Sequence, residues 1–234
     1  VVNVGSANEY KGVTGMAHMY EHMMFKGTKV IGTMNYHKEK VILDQQDQLY
    51  RRLLSTADSA VKQQIQKKLA QLKQDQSQLS VKSEFNKIYK RNGESAINAY
   101  TTYDHTAYHL TLPSNKLELF MWMESERLRD PVFREFYIEK GAVLNERRKR
   151  VEASELSIVK NKFDASYWKG TPFAAQVIGL KKDIESYYRP DALKFLKYYE
   201  PRNITLILVG DFDTGKTRPM IKRYFGRLQN TAEP

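Results

Sequence analysis

At 234 residues, 41% of them apolar and 12% aromatic, the chain is long enough to enclose a core of its own. It has no cysteine, which excludes disulfides and thiolate metal ligation and suits the cytosol and a bacterial periplasm equally. Of the formal charge of +11, residues 38–91 supply +6, and the run Arg147 to Arg150 adds four positive charges; interleaved with Gln and Leu at helical spacing, with no nucleic-acid motif beside them, these charges read as solvated surface, and no apolar run is long enough to cross a membrane.

In chain order, Val1-Val2-Asn3-Val4 has the look of the middle of a strand, so the true N-terminus and any signal peptide are expected upstream. Gly12, Thr14 and Gly15 then read as loop and helix-start residues. The helix they open carries His18-Met19-Tyr20-Glu21-His22, an H-x-x-E-H motif, and ends at Gly27-Thr28. On a helix, His18 and His22 lie one turn apart on one face with Glu21 beside them. Two imidazoles so spaced suit a tetrahedral Zn²⁺, with a carboxylate near its water. A His pair on a plain polar helix face is the competing reading.

Residues 38–91 carry twelve Lys and Arg against six Asp and Glu and are rich in Gln and Leu. Ile65, Leu72 and Leu79 fall at heptad spacing with Leu69 between, and Ser55 to Ser59 breaks the pattern, with Asp58 or Ser59 fit to cap a second helix. The expectation is a protruding helical hairpin, about 38–54 and 59–80. Ala96 to Tyr103 reads as a strand. His105 and His109 belong to an extended run ending at Pro113; four apart on a strand they sit roughly 13 Å from each other, too far to share a metal. His37 has no evident partner.

Helices are expected over Asn115 to Arg129, Arg134 to about Lys160, Asp191 to Tyr199 and Gly215 to Phe225, with a loop at Trp168 to Phe173 and a strand at Asn203 to Gly210. Strands separated by helices give an α+β fold, a sheet with helices packed on one face. A catalytic zinc needs a third protein ligand and an open position. Glu139 and Glu146 are seven apart, two helical turns, so one could bind metal while the other orients a histidine. The basic run Arg147 to Arg150 follows at once.

Gly12 to Thr28 resembles the active-site helix of the pitrilysin/insulysin family of zinc metallopeptidases, which includes the mitochondrial processing peptidases. The likeness continues through Asn98 to Asp104, Glu139 to Glu146 and Pro201 to Phe212, and so spans nearly the whole chain. The resemblance implies one Zn²⁺ per chain on His18, His22 and Glu146, with Glu21 as general base and Glu139 supporting the site. It implies a peptide substrate added as a strand to the edge near Asn98 and Ala99. It also implies a second homologous domain or subunit that closes a chamber and supplies an arginine and a tyrosine. On this reading residues 1–234 form a single catalytic-type domain of a longer chain, residues 38–91 are an insert, and a bacterial periplasmic location is expected. The 124 positions from His22 to Glu146 exceed the usual family gap, which is what marks the insert. A scaffold that keeps the fold without the activity, and an isolated half that binds zinc but needs a partner to act, are the alternatives. A basic nucleic-acid-binding module is a third and would reveal itself by steeply salt-dependent affinity.

Overall fold

In the computed structural model, residues 1–230 are described. The sheet at its centre is small: β1 (Ala96–Thr101) pairs antiparallel with β2 (Thr106–Thr111). The register sets Ile97 opposite Leu110, Ala99 opposite Tyr108 and Thr101 opposite Thr106. These six line the covered face, while Ala96, Asn98, Tyr100, His109 and Thr111 point to solvent. The period-two alternation in the sequence is therefore the alternation of a half-covered sheet. Val2 bridges both Thr106 and Ile204, so the first residues lie between β2 and the segment that follows Asn203. Among the described residues that segment, expected as a strand to Gly210, is paired only at its start, where Ile204 bridges Val2 and Thr205 exchanges backbone hydrogen bonds with Val1. Beyond it, Ile207 and Val209 stand exposed with no strand beside them among the described residues.

Helix α1 (Met16–Met23) lies against β1 and β2 and is buried on almost every side. Its Tyr20 is fully buried, stacked at 4.1 Å on Tyr199 and edge-on to Phe133 at 4.8 Å. The Tyr199 hydroxyl in turn meets that of Tyr108 at 2.9 Å, which joins β2 to this core. Burying such aromatic side chains contributes about 1.5–3 kcal/mol each and fixes where α1 runs.

Helices α2 (Tyr36–Ser55) and α3 (Ser59–Leu79) pack along each other, with Asn35 and Asp58 capping their first turns. Ile65, Leu69 and Leu72 are buried along the seam, and the Gln46 amide donates to Gln76 at 3.1 Å. A separate short helix, α4 (Glu84–Arg91), follows, with Phe85 and Tyr89 buried on one face. Glu39 of α2 is fully buried against Arg134, which also donates to the carbonyls of Lys26, Thr28 and Ile31. One guanidinium thus ties the end of the α1 segment to α2.

After α5 (Leu117–Arg129), the stretch 134–160 is three pieces where the sequence suggested one helix. Glu135 turns at φ 59, α6 runs Phe136–Arg147, a π-helical turn spans Arg148–Glu152, and α7 (Glu155–Tyr167) begins after Ser154. Arg147 accounts for the break, since its buried side chain donates to the Gly179 carbonyl at 2.9 Å and pairs with Glu152. The chain closes through α8 (Lys181–Ser186), α9 (Arg189–Phe195) and α10 (Thr214–Phe225). Arg189 binds Asp47, as does the Tyr137 hydroxyl at 2.8 Å, so α9 and α6 both hold α2. No described helix is long and apolar enough to cross a membrane.

Candidate metal centre

The start of α1 is built with care. Gly15 caps it at φ 87, and a Cβ there would lie 2.5 Å from the Ile178 carbonyl oxygen, so only glycine fits. The N–H groups of Gly15 and Ala17 each donate to the Glu9 carboxylate at 2.7 Å. Thr14 donates to Asp183 through both its hydroxyl and its N–H. Two acidic groups thus occupy the helix N-terminus, where the unpaired N–H donors favour negative charge. Burial pushes the Glu9 carboxyl up to about 8, and its backbone hydrogen bonds pull only part of the way back.

From that fixed start, residues 18, 21 and 22 face α6 and β1. The His18 and His22 rings meet edge to face at 4.7 Å. His18 Nε2 lies 3.7 Å from Glu146 Oε1, and His22 Nε2 lies 3.5 Å from Glu146 Oε2. These three side chains are the only His, Cys, Asp or Glu group among the described residues that could jointly hold a metal ion. Ligands about 2.0–2.1 Å from a tetrahedral zinc stand roughly 3.3 Å apart; the two separations to Glu146 are close to this, and all the ligand atoms lie within 4.8 Å of one another. Two imidazole lone pairs and a carboxylate that converge without a cation repel one another, and a cation removes the repulsion. The residues present therefore fit zinc.

The protonation of His18 agrees with this. Burial, helped by repulsion from His22 and Arg150, holds His18 down to about 3, so its ring is neutral and free to donate a lone pair. Burial would lower His22 too, but the Glu139 hydrogen bond and the nearby Glu146 charge prevail and raise it. His22 Nδ1 is 3.2 Å from Glu139 Oε2, which leaves Nε2 facing Glu146. His18 Nδ1 has no hydrogen-bond partner among the described residues. Glu21 is raised by burial, and the Thr101 hydroxyl, donating to its Oε2 at 2.5 Å, draws it back in part. A buried carboxyl with one fixed donor, beside a metal-ligand set, is suited to pass a proton.

Of the residues singled out from the sequence, His18, Glu21, His22, Glu139 and Glu146 come together. Asn98 and Ala99 lie on β1, whose second edge has no strand paired to it among the described residues. The Asn98 side-chain oxygen accepts the Ala99 N–H at 2.9 Å. His105 and His109 stay apart from the cluster: His105 sits by the Thr102 hydroxyl at 3.0 Å, and His109 is exposed on β2. His37 lies at the start of α2. Sequence reasoning missed Thr101, Lys26 and Glu9. Lys26 is the easiest of these to have found, since it stands four residues after His22 and its ammonium reaches Glu139 at 2.5 Å.

Residues 1–41 and 68–180 match the profile of the family described as Insulinase (Peptidase family M16), which leaves 42–67 outside the match. Residues 185–234 match a profile described as the Peptidase M16 inactive domain. The zinc protease PqqE of Helicobacter pylori is 30% identical over 98% of this chain and 41% of its own length. The probable zinc protease PqqL of Escherichia coli is 25% identical over 97% of this chain and 20% of its own. A crystal structure of a protease from Helicobacter pylori superposes with a TM-score of 0.74 at 26% identity, over all of this chain and 45% of that one. The chain therefore spans less than half the length of these relatives. With two thirds of its residues inside one family profile, the chain belongs to the insulinase family of zinc proteases, peptidase family M16.

Proposed function

We propose that this chain is the zinc-holding catalytic domain of an endopeptidase that cuts peptides or unfolded segments. The observation that carries the proposal is the convergence of His18, His22 and Glu146 within reach of one ion, with Glu21 beside them. When bound there, Zn²⁺ supplies a Lewis acid that polarises the scissile carbonyl and makes water acidic enough to attack near neutral pH. Glu21 takes the proton of the attacking water and returns it to the leaving amine. Thr101 holds Glu21 in place through the 2.5 Å hydrogen bond. Glu139 fixes His22 with its Nε2 toward the ion, and Lys26 fixes Glu139.

The substrate joins β1 at its free edge as an added strand, next to Asn98 and Ala99, and is held by backbone hydrogen bonds that tolerate many sequences. For Ala99 to donate to substrate, Asn98 must release the N–H it accepts in the structure. A second homologous domain or subunit completes the chamber, a reading supported by relatives more than twice as long as this chain. On its own the chain then binds zinc with little activity. Residues 38–91 are read as an insert in the domain; the family profile leaves out only 42–67 of them. The periplasm is the proposed location, since one similar structure is described as the first half of a periplasmic protease, PqqL of Escherichia coli.

The test is Glu21→Gln in the protein at its full natural length. Retained zinc with hydrolysis of an unstructured peptide reduced at least about 10³-fold supports the proposal. Hydrolysis within a few fold of wild type rejects Glu21 as the base.

A further inference from the structure

The basic run Arg147 to Arg150 carries four charges that the proposed mechanism does not use, and the structure sorts them. Arg147 is buried and tied to Gly179 and Glu152. Arg148 and Lys149 are exposed and make no ion pair among the described residues. Arg150 differs from its neighbours: its Nη2 lies 2.8 Å from Glu146 Oε1, though 66% of its side chain is exposed. It sits in the π-helical turn Arg148–Glu152, whose base is pinned by Arg147. A π turn takes an extra residue per turn, and such turns occur often at functional sites. Arg150 is thus a long side chain on an anchored base, reaching back one turn to a carboxylate that faces both histidines.

Glu146 can present its oxygens to a cation singly or as a pair. The guanidinium holds Oε1, which leaves Oε2, 3.5 Å from His22 Nε2, as the one uncommitted donor. We propose that Arg150 is a positioning residue for Glu146, holding one carboxylate oxygen so that the other alone ligates the metal shared with His18 and His22. This rests on the zinc reading of the site given above. The positive charge of Arg150 opposes a cation, but the side chain is largely in water, where that repulsion is screened. Orientation of the ligand therefore prevails, and loss of such a supporting ion-pair contact costs about 10–100-fold in metal affinity.

The experiment compares zinc affinity and the visible absorption of the Co²⁺ form for wild type, Arg150→Ala and Arg150→Lys, at the full natural length. For Arg150→Ala, zinc affinity falls about 10–100-fold. Its Co²⁺ bands weaken as Glu146 turns to offer both oxygens and coordination rises from four to five. Arg150→Lys keeps a charged donor of similar reach and recovers most of both properties. If Arg150→Ala binds zinc within twofold of wild type, or more tightly, with unchanged Co²⁺ bands, Arg150 is a surface charge and the proposal is wrong. If both variants bind more tightly, charge repulsion is the controlling effect, and the proposal is equally overturned. If wild type itself takes up no zinc, the zinc reading has failed and the Arg150 proposal falls with it, an outcome distinct from the other two.

Discussion

Lys26 Nζ lies 2.5 Å from one oxygen of Glu139, while the other oxygen lies 3.2 Å from His22 Nδ1. Burial alone would raise this carboxyl, but hydrogen bonds from His22 and Lys26 outweigh it and bring it down to about 2. It is therefore charged throughout the working range and keeps the His22 proton on Nδ1. Glu139→Gln removes that charge with little change of shape. Zinc affinity measured by competition with a chelator is expected to fall about 10–100-fold with the fold intact. Unchanged affinity would mean that Glu139 does not support the site.

Thr101→Val leaves Glu21 buried but without its donor. Because the Thr101 hydrogen bond favours the carboxylate, its loss moves the Glu21 pKa further upward. A base must be deprotonated to act, so the acid limb of the kcat/KM profile shifts to higher pH. The profile of the two enzymes on one peptide checks this. An acid limb that stays in place, or moves downward, contradicts it.

Glu39 and Arg134 form a buried pair that also holds three backbone carbonyls after α1. Removing one partner strands the other charge, so Glu39→Ala is expected to cost about 3–5 kcal/mol in urea unfolding. Replacing Lys40, exposed and paired with Asp44 on the same helix, is the control and should be near neutral.

Glu9 gives a pH dependence of stability. Its carboxyl is protonated up to about 8 in the folded chain but only to its ordinary 4.5 when unfolded. Between those values the folded state binds more protons. Stability therefore falls as pH rises through this window, by up to about 1.4 kcal/mol per pH unit for this one group. Glu9→Gln should flatten the decline between pH 5 and 7.5, measured by urea unfolding at each pH. A wild-type stability that rises over that window through this residue would reverse the assignment.

Much of the site could be read from residue spacing because it is helical. His18, Glu21 and His22 needed only the geometry of one turn, and Glu139 with Glu146 only that of two. The sequence could not rank the two glutamates without the family resemblance; the structure separates them by distance, Glu146 beside both imidazole Nε2 atoms and Glu139 beside His22 Nδ1. The break at 148–154 escaped notice because its cause, the Arg147 bond to Gly179, joins residues 32 apart. Glu9 and Thr101 were likewise invisible, since their partners lie across the fold from any local pattern. The run after Asn203 has the apolar content of a strand, but a strand also needs a neighbour, and pairing here stops at Thr205.

The most direct test is the metal content of the purified chain, wild type beside His18→Ala and Glu146→Gln, after exposure to zinc and removal of excess. About one zinc per chain in wild type, lost or greatly weakened in both variants, is the expected result. A wild type that retains no zinc, or variants that retain as much as wild type, would contradict a metal centre on His18, His22 and Glu146.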